Sequence, residues 1–202
     1  MARSSKYLFG NLLCAVDVET TGLVAGYNDI WQVCVLPLTS DCTPAKDCMP
    51  FYMNMKVRYP DHIEPKAIKL SKTKFAISQQ SAIDPWSCAD LFDEWFQKLN
   101  LPFGKKIVPL AQNWPFDRAF IQEWLGIETF DQFFSPHYRD TMAAAIFLTD
   151  IADLKQEPQF FMRFNLGTLC ARLGVTNLCA HDALQDCLAT AEVYNRLLRW
   201  AA

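Results

Sequence analysis

An apolar stretch, residues 8–16, runs directly into two acids two residues apart, Asp17 and Glu19, and this arrangement limits how the chain can fold. The stretch is short and has no helical period, so it predicts a buried β-strand over residues 8–18. Side chains two residues apart on a strand point to the same face, so the two carboxylates are expected to lie together. Removing a carboxylate from water costs several kcal/mol unless positive charge neutralises it. The pair therefore predicts a cation-binding strand end.

Two further acids and one histidine also lie beside apolar segments. Asp117 is expected near the start of a helix, where the helix dipole favours an anion, so its position also has a purely structural explanation. Asp182 and Gln185 match a capping-box pattern, which predicts a helix that begins directly after Asp182. His181 then precedes this helix and Asp186 lies in its first turns, so both side chains can be directed at one point.

Considered together, these residues predict a two-metal site for phosphoryl transfer. Four carboxylates beside apolar segments, without a matching set of basic residues, indicate hard divalent cations. All-oxygen ligation of this kind suits Mg²⁺ or Mn²⁺. Two such ions can stabilise both the attacking and the leaving oxygen of an in-line displacement. The four acids and the histidine are Asp17, Glu19, Asp117, His181 and Asp186.

The remaining pattern predicts an α/β fold with a mixed central sheet of about five strands flanked by helices. Strands are expected at 8–18, 30–38, 51–57, 106–111 and 137–139. Helices are expected at 65–70, 87–99, 116–125, 141–148, 166–173 and 183–200. Three successive strands followed by alternating helices and strands are typical of this architecture. Residues 151–165 have the least regular pattern; we favour core packing for their aromatic side chains over a lid or partner surface.

Length and composition favour a single domain, residues 1–202, in a reducing compartment. The chain is long enough for one substantial core, and its net charge of −3 comes without an acidic or basic tail. The longest apolar run is too short to cross a bilayer, so no membrane contact is expected. The eight cysteines include no Cys-x-x-Cys pair and mostly adjoin apolar residues, which indicates free thiols and a cytoplasmic location.

In this order and spacing, the residues resemble the DnaQ-like 3′–5′ exonucleases of the DEDD type, histidine branch, which have the ribonuclease H-like fold. Three motifs carry the resemblance, namely Asp17–Leu23, Asn113–Asp117 and His181–Asp186, and it extends over the whole chain. Two positions depart from the family pattern. Gln112 stands where a small or imidazole residue is commoner, and Gln32 stands where many members carry Glu, which is expected to alter how the ligands are held.

The resemblance implies hydrolysis of phosphodiester bonds from the 3′ end of single-stranded nucleic acid, with DNA favoured and nucleoside 5′-monophosphates released. Two Mg²⁺ or Mn²⁺ ions are implied. Asp17, Glu19 and Asp186 are expected to hold one ion, and Asp17 and Asp117 to help place the second. By the same resemblance, His181 takes the proton from the attacking water, a role typically worth about 10²–10⁴-fold in rate.

Substrate contacts are expected from the turn after the first strand, the second motif and a lysine cluster: Thr20, Thr21, Gly22, Leu23, Asn113, Trp114, Phe116, Lys66, Lys69, Lys72 and Lys74. Asn113 can alternatively cap a helix. Trp114 is either a core residue or a platform on which a base stacks. The lysines are expected to hold backbone phosphates, and a solvated helix face is the alternative interpretation.

Several functions stay open at this point. A free-standing exonuclease is favoured, and its action on DNA or RNA depends on details of one pocket. A proofreading subunit usually carries an extension that binds its polymerase, and no such tail follows the last predicted helix. An inactive nucleic-acid-binding protein is a third hypothesis, and the complete set of acids argues against it. The oligomeric state is undetermined.

Overall fold

The computed structural model describes residues 9–69 and 71–201, and its centre is a five-stranded mixed sheet. The strands are β1 (Leu12–Thr20), β2 (Ile30–Pro37), β3 (Phe51–Asn54), β4 (Ile107–Ala111) and β5 (Arg139–Asp140). They are arranged in the order β3-β2-β1-β4-β5. The first three form an antiparallel meander, whereas β4 and β5 run parallel to β1. The predicted mixed sheet of about five strands is therefore confirmed.

Eight α-helices surround this sheet in the described part of the chain. They are α1 (Pro65–Ile68), α2 (Lys72–Ser78), α3 (Pro85–Lys98), α4 (Trp114–Leu125), α5 (Ile127–Phe133), α6 (Thr141–Leu154), α7 (Leu166–Leu173) and α8 (Ala183–Ala201), and a short 3₁₀ helix spans Pro60–His62. Both α7 and the start of α8 lie where the sequence pattern predicts them. Gly174 ends α7 in a left-handed conformation with φ of 68°, which glycine adopts without strain.

The alternation of side chains along β1 decides which face of the sheet carries the acids. The even-numbered residues from Leu12 to Val18 pack with α3, α4 and α5, whereas Leu13 and Ala15 pack against α8. Side chains alternate between the faces of a strand, so Asp17 and Glu19 continue the odd-numbered set. The two acids are therefore on the face of the sheet that α8 covers.

Several predicted boundaries are wrong for identifiable reasons. Phe9 and Gly10 have positive φ angles, so the chain turns there and β1 begins at Leu12. β3 ends at Asn54, because Met55 pairs instead with Ile83. Helix α5, which directly follows Gly126, was not expected, and α6 continues beyond residue 148 to Leu154. The expected strand start at Leu8 and helix end at Leu70 lie outside the described residues.

The lysine-rich segment forms two helices rather than the single one expected at 65–70. Lys66 is on α1, Lys69 follows the end of that helix, and Lys72 and Lys74 are on α2. The four lysines therefore do not share one helix face.

The irregular segment 151–165 contributes partly to the core, as favoured from the sequence. Phe161 is buried, and its ring and that of Phe160 pack edge-on against Trp200 near the end of α8. Met162 is exposed. All eight cysteines are free, as expected. Among the described residues, no helix is both long and apolar enough to cross a membrane.

Candidate active site

The acids of the first and second motifs meet where β1 and β4 approach the same edge of the sheet. β1 and β4 are parallel, with Ala15 opposite Leu110, and α4 begins shortly after β4. Asp117 lies in the first turns of α4, where its carboxylate accepts a 3.0 Å hydrogen bond from the backbone N–H of Val18. This bond fixes Asp117 against the strand residue between Asp17 and Glu19. Ligand sites of α/β sheets commonly lie at such strand ends.

The third motif brings its histidine and acid to Glu19. The ligand atoms of Glu19, His181 and Asp186 all lie within 4.8 Å of one another. His181 is outside the helix, in a left-handed backbone conformation with φ of 62°, and α8 begins two residues later at Ala183. The sequence-based placement of His181 before the helix and of Asp186 inside it is confirmed, while their chemical roles stay predictions.

The Asp186 carboxylate is held by two donors from the loop that precedes α8. One oxygen accepts the backbone N–H of His181 at 3.1 Å, and the other accepts the side-chain amide of Asn177. Asn177 was not expected at the site, because nothing in its local sequence shows that the loop folds back over α8. These bonds leave Asp186 oriented toward Glu19 before any cation binds.

A buried amide holds the start of α8 from the sheet. Gln32 on β2 accepts the backbone N–H of Ala183 at 2.9 Å and donates to the Tyr52 hydroxyl at 3.0 Å and to Asn54 at 2.9 Å. Tyr52 in turn donates to Asp182 at 2.9 Å. Burial, followed by the hydrogen bond to Asp182, raises the pKa of Tyr52. A carboxylate at position 32 has no donors and would leave part of this network unmade.

Burial raises the pKa of all four acids, and repulsion from neighbouring carboxylates adds to this effect for Asp17, Glu19 and Asp117. Burial is the largest cause for Asp17, and the carboxylates of Asp117, Glu19 and Asp186 raise its pKa further. Burial raises the pKa of Glu19 to about 7, and Asp186 adds to this effect. The pKa of Asp117 is raised by burial despite the N–H of Val18, and that of Asp186 is raised by burial despite its two donors. The cluster therefore favours either protons or bound cations.

The donor set fits divalent metal ions. Carboxylate oxygens predominate, which suits Mg²⁺ and Mn²⁺, and the histidine nitrogen is also acceptable to Mn²⁺. Repulsion among four acids is the charge arrangement that a cation relieves. Glu19 and Asp186 cluster with His181, whereas Asp117 is bonded to the backbone N–H of Val18, the residue between Asp17 and Glu19.

We expect divalent metal to stabilise the protein more at about pH 8 than at about pH 5. Raised folded-state pKa values mean that the folded chain binds more protons than the unfolded chain, so metal-free stability falls as pH rises from 4.5 to about 7 through Glu19. For this residue the loss is up to about 3 kcal/mol. Bound cations replace the lost protons. Thermal melts with Mg²⁺ or Mn²⁺ and with chelator, at both pH values, measure the difference.

The control for this melt is Glu19→Gln, which cannot ionise and should reduce the pH dependence of the metal effect. An equal metal-induced shift at both pH values would contradict the electrostatic account of the cluster.

The turn of the first motif is closely packed. Thr21 is buried, and the Thr20 hydroxyl donates to the carbonyl of Gly22 at 2.7 Å. A Cβ atom on Gly22 would lie 2.3 Å from the side-chain amide of Asn28, so no larger residue fits without displacing Asn28. Leu23 is exposed, with 73% of its surface accessible. Of this turn, Leu23 is the side chain best placed to meet a ligand, and its contact with a nucleotide stays a prediction.

Asn113 lies at the N-cap position of α4, but its side chain does not cap the helix. Asn113 has a φ of 66°, and its side chain makes no capping bond. The Asp140 carboxylate caps the helix instead, accepting the N–H of Trp114 at 2.7 Å and that of Asn113 at 3.2 Å. Its other contacts begin α6, so Asp140 links two helix starts. The side chain of Asn113 is thereby free of a capping role, and its predicted substrate contact is untested.

Trp114 is a core residue, so the structure favours the first of the two interpretations that the sequence left open. Only 2% of its surface is accessible, and its ring packs against Phe130 and Phe134. A base would have no face of this indole to stack on. Phe116 is half-buried against Phe120, at 5.0 Å between ring centroids, so its predicted contact with substrate stays a prediction.

The lysines of the predicted phosphate-binding cluster differ in their surroundings. Lys66, Lys69 and Lys72 are exposed. Lys74 is half-buried, and its ammonium group donates to the carbonyl oxygens of residues 179, 180 and 181. This engagement conflicts with the phosphate contact expected for Lys74, because no donor is left for a phosphate.

A cleft of about 570 Å³ opens beside Asp186 and His181. Its walls are mainly apolar side chains of α7 and the following loop, and its polar end is formed by Asn177, His181 and Asp186. Ligand sites typically combine such apolar walls with a few polar groups.

Comparison with known proteins decides the family. A model of the RNase T family, described as exonuclease, matches residues 14–194. The chain belongs to this exonuclease family. Membership identifies it as a nuclease domain acting on nucleic acid and confirms the recognised resemblance. Exonucleases of this family depend on a divalent metal. No curated protein shows significant sequence similarity to the chain.

Solved exonuclease structures share the fold at low sequence identity. The nuclease domain of 3′hExo, a DEDDh family member bound to rAMP, has a TM-score of 0.66 at 14% identity and covers 94% of this chain and 92% of that one. Cell-death related nuclease 4 (CRN-4) has a TM-score of 0.69 at 17% identity, and the match covers 95% of this chain and 65% of that one. A zinc-bound complex of E. coli ExoI with ssDNA has a TM-score of 0.71 at 16% identity, and the match covers 94% of this chain and 42% of that one. The chain thus spans less than two thirds of the latter two proteins, and the ribonuclease H-like fold is confirmed.

Proposed function

We propose that this exonuclease hydrolyses phosphodiester bonds from the 3′ end of single-stranded nucleic acid, with DNA favoured, and releases nucleoside 5′-monophosphates. The observation that carries the proposal is the convergence of Glu19, His181 and Asp186 within 4.8 Å, beside the repelling pair Asp17 and Asp117. A catalytic histidine among carboxylates that require cations suits hydrolysis of a phosphodiester by water.

The four acids would hold two Mg²⁺ or Mn²⁺ ions. Such ions lower the pKa of a bound water and stabilise the negative charge on the leaving oxygen. Glu19 and Asp186 would contribute oxygens on the side of His181. Asp17 would contribute to both positions, and Asp117 would complete the second. The His181 ring would accept the proton of the attacking water, since it lies outside the helix and next to two of these acids.

The surface next to the acids suits a flexible strand. The cleft beside His181 is apolar enough to receive a base, and Asp186 forms part of its wall. Exposed Lys66, Lys69 and Lys72 offer positive charge to backbone phosphates on an otherwise weakly acidic protein. Single strands can present bases and phosphates to such surfaces without the cost of opening a duplex.

An exoribonuclease is the second candidate. The 3′hExo nuclease domain, bound to rAMP, matches over 92% of its own length, whereas the ExoI chain bound to ssDNA matches over 42% of its length. A polymerase proofreading role is retained as a further hypothesis. The free cysteines support a reducing compartment such as the cytoplasm.

The experiment that tests the function uses matched DNA and RNA oligomers labelled at the 5′ end. With Mg²⁺ or Mn²⁺, we expect a ladder of products shortened from the 3′ end, faster on DNA, and no products after chelation. A label at the 3′ end should be released at once as a mononucleotide. Preferential loss of the RNA oligomer would favour the second candidate, and cleavage within the strand would contradict exonuclease action.

A further inference from the structure

Lys74 makes an unusual set of contacts with the loop that carries His181. Its ammonium nitrogen lies 3.2 Å from the carbonyl oxygen of Cys179, 2.9 Å from that of Ala180 and 3.2 Å from that of His181. An ammonium group has three donors and no acceptor, so the three carbonyls use its full hydrogen-bonding capacity. Three successive carbonyls therefore converge on one charged group from another part of the chain.

The His181 backbone is consequently held on both sides. Its N–H donates to Asp186, and its carbonyl accepts from Lys74. The residue also has a φ of 62°, a conformation that is uncommon outside glycine and needs support from its surroundings. Lys74 supplies such support where α2 passes the loop.

The charge of Lys74 also acts on the acid cluster. It lowers the pKa of both Glu19 and Asp186, against the larger effect of their burial. Lys74 is therefore close enough to the reacting region to influence it, yet its donors are directed at the loop.

We infer that Lys74 is a positioning residue of the exonuclease, which holds residues 179–181 so that the His181 ring stays against Glu19 and Asp186. This inference rests on the proposed function for its effect on turnover, but the hold on the loop is independent of it. Small displacements of a catalytic group are costly, since about 1 Å can reduce the rate by about 10²-fold. Loss of Lys74 should therefore act on kcat rather than on substrate binding.

The test compares Lys74→Met with Lys72→Met, two positions apart on the same helix, and with Lys98→Met, an exposed lysine of α3. Lys74→Met is expected to lower kcat by about 10–100-fold with KM and the salt dependence of binding near those of the parent. Lys72→Met should instead raise KM and flatten the salt slope by about 0.7 if it contacts a phosphate. Lys98→Met should match the parent enzyme.

Hydrogen exchange at the amides of residues 177–183 supplies a readout without substrate. We expect faster exchange there in Lys74→Met, with metal-dependent thermal stabilisation retained. Lys74→Arg keeps the charge and several donors, so it should recover most of both the exchange protection and kcat. If the parent protein proves not to be a nuclease, the exchange result still tests the hold on the loop.

Two results would overturn the inference. In one, Lys74→Met keeps the parental kcat and raises KM, which would make Lys74 a phosphate contact. In the other, Lys74→Arg restores the loop protection but not kcat, which would separate the loop from catalysis. If Lys74→Met does not fold, Lys74→Arg decides alone: exchange protection and kcat that stay near parental values together uphold the inference.

Discussion

Replacing Asp17 with Asn is expected to abolish turnover and, at the same time, to stabilise the metal-free protein. Asp17 is the acid whose pKa is raised by all three other acids in addition to burial, so it is central to the charge cluster. Loss of its contribution to both ions should remove several kcal/mol of transition-state stabilisation, or at least about 10³-fold in rate. Steady-state assays with labelled oligomers and thermal melts in chelator measure the two effects.

The sign of the stability effect follows from the direction of the pKa shift. Because the pKa of Asp17 is raised in the folded state, its ionised form destabilises the folded protein at pH values above the unfolded-state pKa. A neutral Asn at this position therefore stabilises the metal-free protein at neutral and alkaline pH. The gain should shrink as pH falls, because Asp17 itself then becomes protonated. The control is Asp90→Asn on the exposed side of α3, which should alter neither quantity. Near-parental turnover in Asp17→Asn would remove the basis of the two-metal proposal.

Replacing His181 with Ala is expected to lower kcat by about 10²–10⁴-fold, the usual contribution of a general base. His181 lies outside α8 with its ring near Glu19 and Asp186, and truncation leaves both acids in place. Metal-dependent thermal stabilisation should therefore persist, although weakened if the ring also binds the ion.

The matched control for this variant is His137→Ala, which removes an exposed histidine before β5. It should retain the parental kcat and pH profile. Unchanged turnover in His181→Ala would exclude His181 as the base. Loss of all metal-dependent stabilisation would instead indicate that His181 acts mainly as a ligand.

Strand periodicity and helix-capping preferences were sufficient to predict β1 and the start of α8, which carry three of the four acids. The apolar run before Asp17 predicts β1, and strand periodicity places Asp17 and Glu19 on one face. The pattern from Asp182 predicts the start of α8, and the Asp182 carboxylate does accept the N–H of Gln185 at 3.2 Å. These features depend on residues within one turn or one strand, so the sequence determines them without knowledge of the packing.

Partners distant in sequence were not predictable in the same way. The neighbouring Asn113 was a possible cap of α4, yet the capping carboxylate comes from Asp140, 26 residues away from Trp114. Local capping preferences identify residues able to cap, but a buried carboxylate from another strand end competes for the same N–H groups. Trp114 was ambiguous for a related reason, since an aromatic residue beside a site can face either the ligand or the core.

The sequence by itself determined which acids and which histidine form the site and in what order they occur. It also determined the strand β1 and the helix α8 that carry them, because these elements follow from periodicity and capping. Only the tertiary structure decided how the His181 loop is held, by Lys74 from 107 residues away and by Gln32 through Ala183 from 151 residues away. The exposed lysines and the half-buried Lys74 look alike in sequence. Their roles separate only when packing of α2 and the sheet determines which backbone groups lie within reach of each donor.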